Sequence, residues 1–472
     1  MRVLLALVVA CLAASPGTGQ TRVTLSDTTR AYVAIDAPVV ALTRVSVIDG
    51  TGAAPAADQT IIIANGRIQA VGPSTSVKAP AGARVLDLAN HTVIPGLVGM
   101  HDHTFYTTAA GRRSQLNTSA PRLYLASGVT TIRTTGSISP YAEISLKQQI
   151  ERGDVPGPRM HISGPYITGP DQVVERKHIT TPQEARRVVN YWADEGATWF
   201  KVYTEISREN LKAVAEAAHR RGVKVTGHLC SVGYREAVAA GIDALEHGLM
   251  ANFEYHPRKE VDRCPGRDLE TYNKLDVTSA AVQTTFREMI AGKVAMTSTL
   301  AVYESSVPNR PPLEQRVLDA MSPDVQKEYL ATRRQLAAQA GASPVLAGLK
   351  KAMEYERAFV KAGGLLAAGV DPTGNGGALP GYGDQRNYEL LTEAGFSPAE
   401  VIQIMSANGA KVLGADDLGT IAAGKTADLV VIRGDLATNP AAIRDVVTVF
   451  KVGVGYDSAK LIASVKGLVG IR

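Results

Sequence analysis

A chain of 472 residues with 45% hydrophobic and 20% charged content can bury a large core, which excludes a disordered or fibrous polymer and leaves room for a barrel plus a smaller domain. The formal charge of +5 is spread along the chain without a Lys/Arg block or interleaved aromatics, so no nucleic-acid footprint is expected. No stretch reads as a transmembrane span.

Residues 1–19 read as an export signal: Arg2 is the charged start, Val3 to Ala10 the apolar run, and Gly17-Thr18-Gly19 a small-residue cleavage site before Gln20. The apolar run is too short to cross a bilayer. The expectation is a secreted or periplasmic protein, with Val8-Val9-Ala10-Cys11 supplying the alternative of a lipid anchor through Cys11. Without that leader only Cys230 and Cys264 remain, as one disulfide or two buried thiols; the residues favour neither.

From Val39 to Asp87 short β-rich runs alternate with turns, and Asn65-Gly66 between Thr60–Ile63 and Arg67–Val71 predicts a hairpin. Ala427–Ile432 and Val446–Val452 repeat that texture at the far end, so one small β-domain assembled from both ends (39–95 and 418–472) is expected, against two separate β-caps. In between, Val93-Ile94-Pro95-Gly96-Leu97-Val98-Gly99-Met100 leads into His101-Asp102-His103. On a strand, residues i and i+2 share a face, so the two imidazoles form either a chelating pair on a rigid support or two exposed histidines at an ordinary strand end.

Seven further strand candidates follow: Val129–Thr134, Arg159–Ser163, Trp199–Tyr203, Val223–His228, Asp243–His247, Val294–Leu300 and Leu365–Asp371. Helical stretches such as Pro182–Glu195, Ser207–Arg221 and Tyr234–Ala240 separate several of them. Alternation of this kind implies parallel strands with right-handed crossovers, and eight strands over 96–417 is the number of a (β/α)8 barrel. The intervals 247–294 and 300–365 are too long for plain strand–helix units and read as insertions over the mouth or as surface decoration.

In such a barrel the C-terminal strand ends share one mouth. Here they carry His101 and His103, Lys201, His228, His247 and Asp371. Lysine is the odd member, because an ammonium has no lone pair; it makes sense there if CO2 converts it to a carbamate able to bridge two metals. His91, His178, His219 and His256 fall outside this set and are expected to be structural or surface residues.

These strand ends, together with Phe200-Lys201-Val202-Tyr203, Gly227-His228, Glu246-His247-Gly248, Gly369-Val370-Asp371 and the run Ser406 to Gly414, resemble the amidohydrolase superfamily in its imidazolonepropionase-like and prolidase-like branch. The resemblance implies an α/β fold, a (β/α)8 TIM barrel with a small β-sandwich domain from both chain ends. It implies that His101, His103 and Asp371 hold one divalent metal and that His228 and His247 hold a second. Carboxylated Lys201 and a hydroxide would bridge the two. Zinc is favoured, with manganese and cobalt also suited to the donor set. Asp371 would take the water's proton and pass it to the leaving nitrogen. Tyr203 is read as oxyanion donor or as packing.

One departure bears on substrate: dipeptidase-like members carry Gly-Gly-His-Gly after the third strand, whereas this chain has Ile167-Thr168-Gly169-Pro170-Asp171-Gln172. Besides Tyr203, the candidates for substrate contact are Arg133, His161 and Tyr166, with a core histidine as the competing reading of His161. The glycine-rich run Thr373–Gly383 lacks a phosphate-loop ending and reads as a flexible mouth loop. The expected activity is an exported binuclear hydrolase of an amide in a small molecule: an N-acyl amino acid, dipeptide or cyclic amide. The alternatives are an ester, lactone or organophosphate hydrolase, or a silent metal-binding barrel. The oligomeric state, including a homo-oligomer, is left open.

Overall fold

The computed structural model describes residues 23–171, 175–339 and 343–471; the expected leader, with Cys11, and Gln172 lie outside them.

The β-rich ends meet in a single nine-stranded sheet. Asn65 and Gly66, both at positive φ (51° and 73°), turn Ala56–Ala64 into Arg67–Pro73 as the Asn-Gly pair predicts. Leu429–Arg433 runs antiparallel to His91–Pro95 with Val431 opposite Val93, so the two chain ends share hydrogen bonds rather than forming two caps. Alternation along these strands divides the side chains between two cores. Val93, Leu429 and Val431 join Val40, Leu42, Ile61 and Phe450 in a core of the sheet's own, whereas Ile94, Val430 and Ile432 enter the main core.

Gly96 passes the chain into the first of eight parallel strands; a Cβ there would lie 2.1 Å from Thr130 Oγ1. The strands are β1 (Leu97–Asp102), β2 (Val129–Thr134), β3 (Arg159–His161, continued beyond Ile162 by Ser163–Thr168), β4 (Trp199–Val202), β5 (Lys224–Gly227), β6 (Ala244–Glu246), β7 (Ala295–Ser298) and β8 (Leu366–Ala368). Each pairs in parallel with the next. Helices fill the connections, and their starts follow from local chemistry. Thr181 accepts the Glu184 N–H at 3.2 Å to open Pro182–Asp194, and Ser207 accepts the Asn210 N–H at 3.2 Å to open Arg208–Arg220. At the two ends of the order β8 approaches β1: the Asp371 N–H donates to His101 O at 2.8 Å just beyond β8.

Both insertions are tied to the strand ends. Cys230, two residues beyond His228, is disulfide-bonded to Cys264 with the Cα atoms 4.9 Å apart, which selects one bridge over two thiols. In the second insertion, Pro323–Ala337 brings Tyr329 against Gly377 of the glycine-rich run, whose Gly376 carbonyl accepts from Tyr106 Oη at 2.7 Å. That run is thus bonded in place at the mouth, where flexibility was expected.

The β8–β1 approach depends on Gly369, where a Cβ would sit 2.3 Å from the backbone nitrogen of His101. Gly369→Ala is expected to cost about 1–3 kcal/mol or more by overpacking. A urea midpoint unchanged from wild type would refute this.

Candidate metal centre

The C-terminal ends of the parallel strands converge on one cavity of about 300 Å3, and His101, His103, Lys201, His228, His247 and Asp371 all line it. The carboxylate of Asp371 sits between the two histidines of β1 and its extension, 3.6 Å from His101 Nε2 and 3.3 Å from His103 Nε2. Ligand atoms of these three buried residues lie within 4.8 Å of one another, a group that can hold a metal. Lys201 Nζ stands 3.5 Å from His101 Nε2. The rings of His228 and His247 are 4.4 Å apart, and that of His247 is also 4.4 Å from that of His101.

The donor set fits a divalent cation. His101 Nδ1 is bonded to Glu246 Oε2 at 2.6 Å and His103 Nδ1 to Gly136 O at 3.1 Å, which fixes both tautomers with Nε2 free to coordinate. Burial, with Lys201 nearby, pushes the His101 imidazole well below its ordinary pKa; burial does the same to His228 and His247. Their lone pairs are therefore available at neutral pH. His247 Nε2 is buried without a hydrogen-bond partner, the sign of a polar atom awaiting a ligand. For Asp371, burial works to raise the carboxyl, but His101, His103 and Lys201 outweigh it and hold it below the usual carboxylate range.

Two of these residues leave their strands in the left-handed region, His247 at φ 69° and Asp371 at φ 49°. Neighbours on a strand point to opposite faces. The turn at His247 is what lets Glu246 and His247 both face inward.

Glu246 itself was missed as a functional residue, although it stands in a quoted motif. It is fully buried and accepts from His101, from Arg133 Nη2 at 2.5 Å and from Thr226 Oγ1. Its inward parity with Ala244 was the available signal. The same contact corrects Arg133: the guanidinium is fully buried below the cavity, 4.5 Å over the Trp199 ring, donating also to Met100 O. Glu246 neutralises it there, and it does not line the cavity. His161 does not line it either; burial pushes its pKa down to about 4. Tyr166 and Tyr203 do, with rings 5.1 Å apart, and Tyr166 Oη lies 3.5 Å from His103 Nε2. Burial raises both phenols, so each remains an O–H donor at neutral pH. The sequence also did not single out Arg113, Arg176, Arg267 and Tyr303, which complete the wall. His91, His178, His219 and His256 lie away from the cavity, bonded to Ala89 O, Asp171, Asp243 and the Arg258 N–H.

Residues 92–455 match the amidohydrolase family. This chain belongs to that family. Membership makes it a hydrolase acting on carbon–nitrogen bonds, in a family that usually binds divalent metals. Among solved structures it is similar to a Bifidobacterium longum protein assigned as a prolidase, at 27% identity over 90% of this chain and 98% of that one, with a TM-score of 0.66. It is also similar to a Xaa-Pro dipeptidase with bound methionine (22% identity, 89% and 100% covered, TM-score 0.66) and to bottromycin amidohydrolase (19%, 91% and 91%, 0.67), likenesses that speak for the fold alone. No curated protein matches the chain significantly in sequence.

Two predictions follow from the buried charges. Glu246→Gln leaves the Arg133 guanidinium without its counter-ion and loosens His101. It should lower stability by about 3–5 kcal/mol and metal affinity roughly 10- to 100-fold, read by urea denaturation and metal titration. Burial lowers Lys201 from 10.5 to about 8 in the metal-free protein. Between these values the unfolded chain holds the proton and the folded one does not, so stability rises with pH by about 3 kcal/mol. Urea midpoints of chelator-treated protein should show this rise, and Lys201→Met should flatten it.

Proposed function

We propose that this chain is an exported binuclear metal-dependent amidohydrolase cleaving an amide bond of a small substrate: an N-acyl amino acid, dipeptide or cyclic amide. The reading is carried by six ligand-type side chains meeting in one small cavity, with neutral imidazoles beside a carboxylate held ionised. His101, His103 and Asp371 would hold one metal, and His228 and His247 the second, with Lys201 as a carbamate between them. The 3.5 Å approach of Lys201 Nζ to His101 and its lowered pKa, which raises the share of neutral amine able to take up CO2, both favour that role. Zinc is our first choice for both metals.

Divalent metals bound there would lower the pKa of a water towards neutrality and polarise the scissile carbonyl. The chain's own groups do the rest. Asp371 accepts the water's proton and returns it to the leaving nitrogen, a task suited to a carboxylate that stays ionised. Tyr203 and Tyr166, kept protonated by burial, present O–H donors to the oxyanion of the tetrahedral intermediate. Arg133 and His161, which do not line the cavity, are given no substrate contact in this reading.

We take the eight parallel strands to close as a (β/α)8 barrel over 96–417, on the strength of their order and of the β8–β1 contact. The sheet built from 39–95 and 418–472, which encloses its own core, is read as the accompanying β-sandwich domain. Export rests on the leader sequence and is supported by the Cys230–Cys264 bridge; a lipid anchor through Cys11 is the competing form of it.

Elemental analysis of protein purified with bicarbonate should find about two metals per chain, falling to one or none in Lys201→Ala. Asp371→Asn should cut turnover of the best amide substrate by about 100- to 10,000-fold. One metal in both proteins, or an active Asp371→Asn enzyme, would refute the binuclear reading.

A further inference from the structure

Two arginine-on-tyrosine stacks back the histidines of the second set. The Arg176 guanidinium lies 4.2 Å over the Tyr203 ring, whose centre is 4.8 Å from that of His228. Arg267 lies 5.6 Å over the Tyr303 ring, which meets His247 edge-on at 5.7 Å. All of them line the cavity.

The stacks differ in charge balance. Arg176 is paired with Asp171 at 2.7 Å, and the third arginine of the wall, Arg113, with Glu175 at 3.1 Å. Among the described residues no carboxylate lies within ion-pair distance of Arg267. Its position is nonetheless anchored on both sides. Three residues before it Cys264 is bonded to Cys230, and directly after it Asp268 caps Leu269–Asn273 by accepting the Thr271 N–H at 3.1 Å. A guanidinium held beside a reaction site on a covalently tied segment, with its donors free, suits a planar anion.

We propose that Arg267, backed by Tyr303, grips the carboxylate of the substrate, so that the enzyme acts on N-acyl amino acids or dipeptides with a free carboxylate rather than on neutral cyclic amides. This rests on the amide-hydrolase reading above. The disulfide makes Arg267 a fixed part of the wall by joining its segment to the loop that follows His228. Only the substrate's anionic end touches it; the reacting atoms lie one aromatic ring away, at His247.

The test uses matched pairs differing only in that charge, N-acetyl amino acids and dipeptides against their carboxamides, with zinc-loaded wild type, Arg267→Met, Arg267→Lys and the double variant Cys230→Ser/Cys264→Ser. In wild type the carboxylate member should have a KM about 10- to 100-fold lower. Arg267→Met should erase that preference with kcat within a few-fold of wild type, Arg267→Lys should keep part of it, and loss of the disulfide should raise KM for the carboxylate member selectively. Calorimetric binding of the same pairs separates the two readings. A carboxylate preference lost in Arg267→Met without turnover of any pair overturns the amide-hydrolase reading and keeps the grip. Turnover or binding with no charge preference in wild type, or a preference unchanged in Arg267→Met, overturns the grip.

Discussion

The site stands on a buried carboxylate. Glu246 has no solvent exposure, yet it remains bonded to three donors on three different strands: His101, Arg133 and Thr226. Each of the two charges at this depth would be very costly alone, and the pair is tolerable only because each supplies what the other lacks. Arg133 is still not fully satisfied, since its Nε and Nη1 have no hydrogen-bond partner. The Trp199 face 4.5 Å below it supplies the remaining stabilisation through its π-cloud. This arrangement explains why an arginine lies so near the candidate metal site: its charge ends on Glu246, while the other oxygen of Glu246 orients His101.

The second constraint is conformational. His247 and Asp371, both ligand candidates, occupy left-handed backbone positions where a side chain costs of order 1–3 kcal/mol. Strands β6 and β8 are rigid enough to sustain that cost because their neighbours fix them. The His247 N–H donates to Thr297 O at 2.9 Å, and the Asp371 N–H donates to His101 O. The result is that side chains from successive positions, which an ordinary strand would send to opposite faces, both reach the interior. Strain and function are linked here at the level of single residues: relaxing His247 to an extended conformation would turn its ring away from His101 and His228.

Strand-end residues were the legible part of this protein. His101, His103, Lys201, His228, His247 and Asp371 could be gathered from the sequence because strand parity and position near the end of an apolar run are local signals. Side-chain depth is not local. Arg133 and His161 are paired in register on neighbouring strands, and nothing in their surrounding residues says that neither side chain reaches the cavity. For Glu246 the inward parity with Ala244 was legible but its partners, 145 and 113 residues away in sequence, were not. The wall arginines were hidden for another reason: Arg176 and Arg267 sit on irregular segments, and Arg113 opens a strand of three residues, too short for a period to say which way a side chain points. The small sheet falls between these cases. Its strands and its Asn65-Gly66 turn were readable, while the pairing of Leu429–Arg433 with His91–Pro95 needed the whole chain.

A wall carrying three arginines around a proposed pair of divalent cations poses an electrostatic problem, because like charges in a cavity of restricted solvent access repel more strongly than in water. The structure answers it by pairing. Glu175 and Asp171 cancel Arg113 and Arg176 at the rim, Glu246 cancels Arg133 beneath, and tyrosine rings stand between the guanidinium groups and the histidines. Arg267, which is exposed, alone of these cations is left without a carboxylate among the described residues, and on the proposal above the anion that pairs with it is the substrate's. On that account the charge missing from the wall is carried by the substrate. Binding would then neutralise the mouth as the scissile bond reaches the proposed metals, which would couple recognition of the far end of the molecule to the electrostatics of the reacting end.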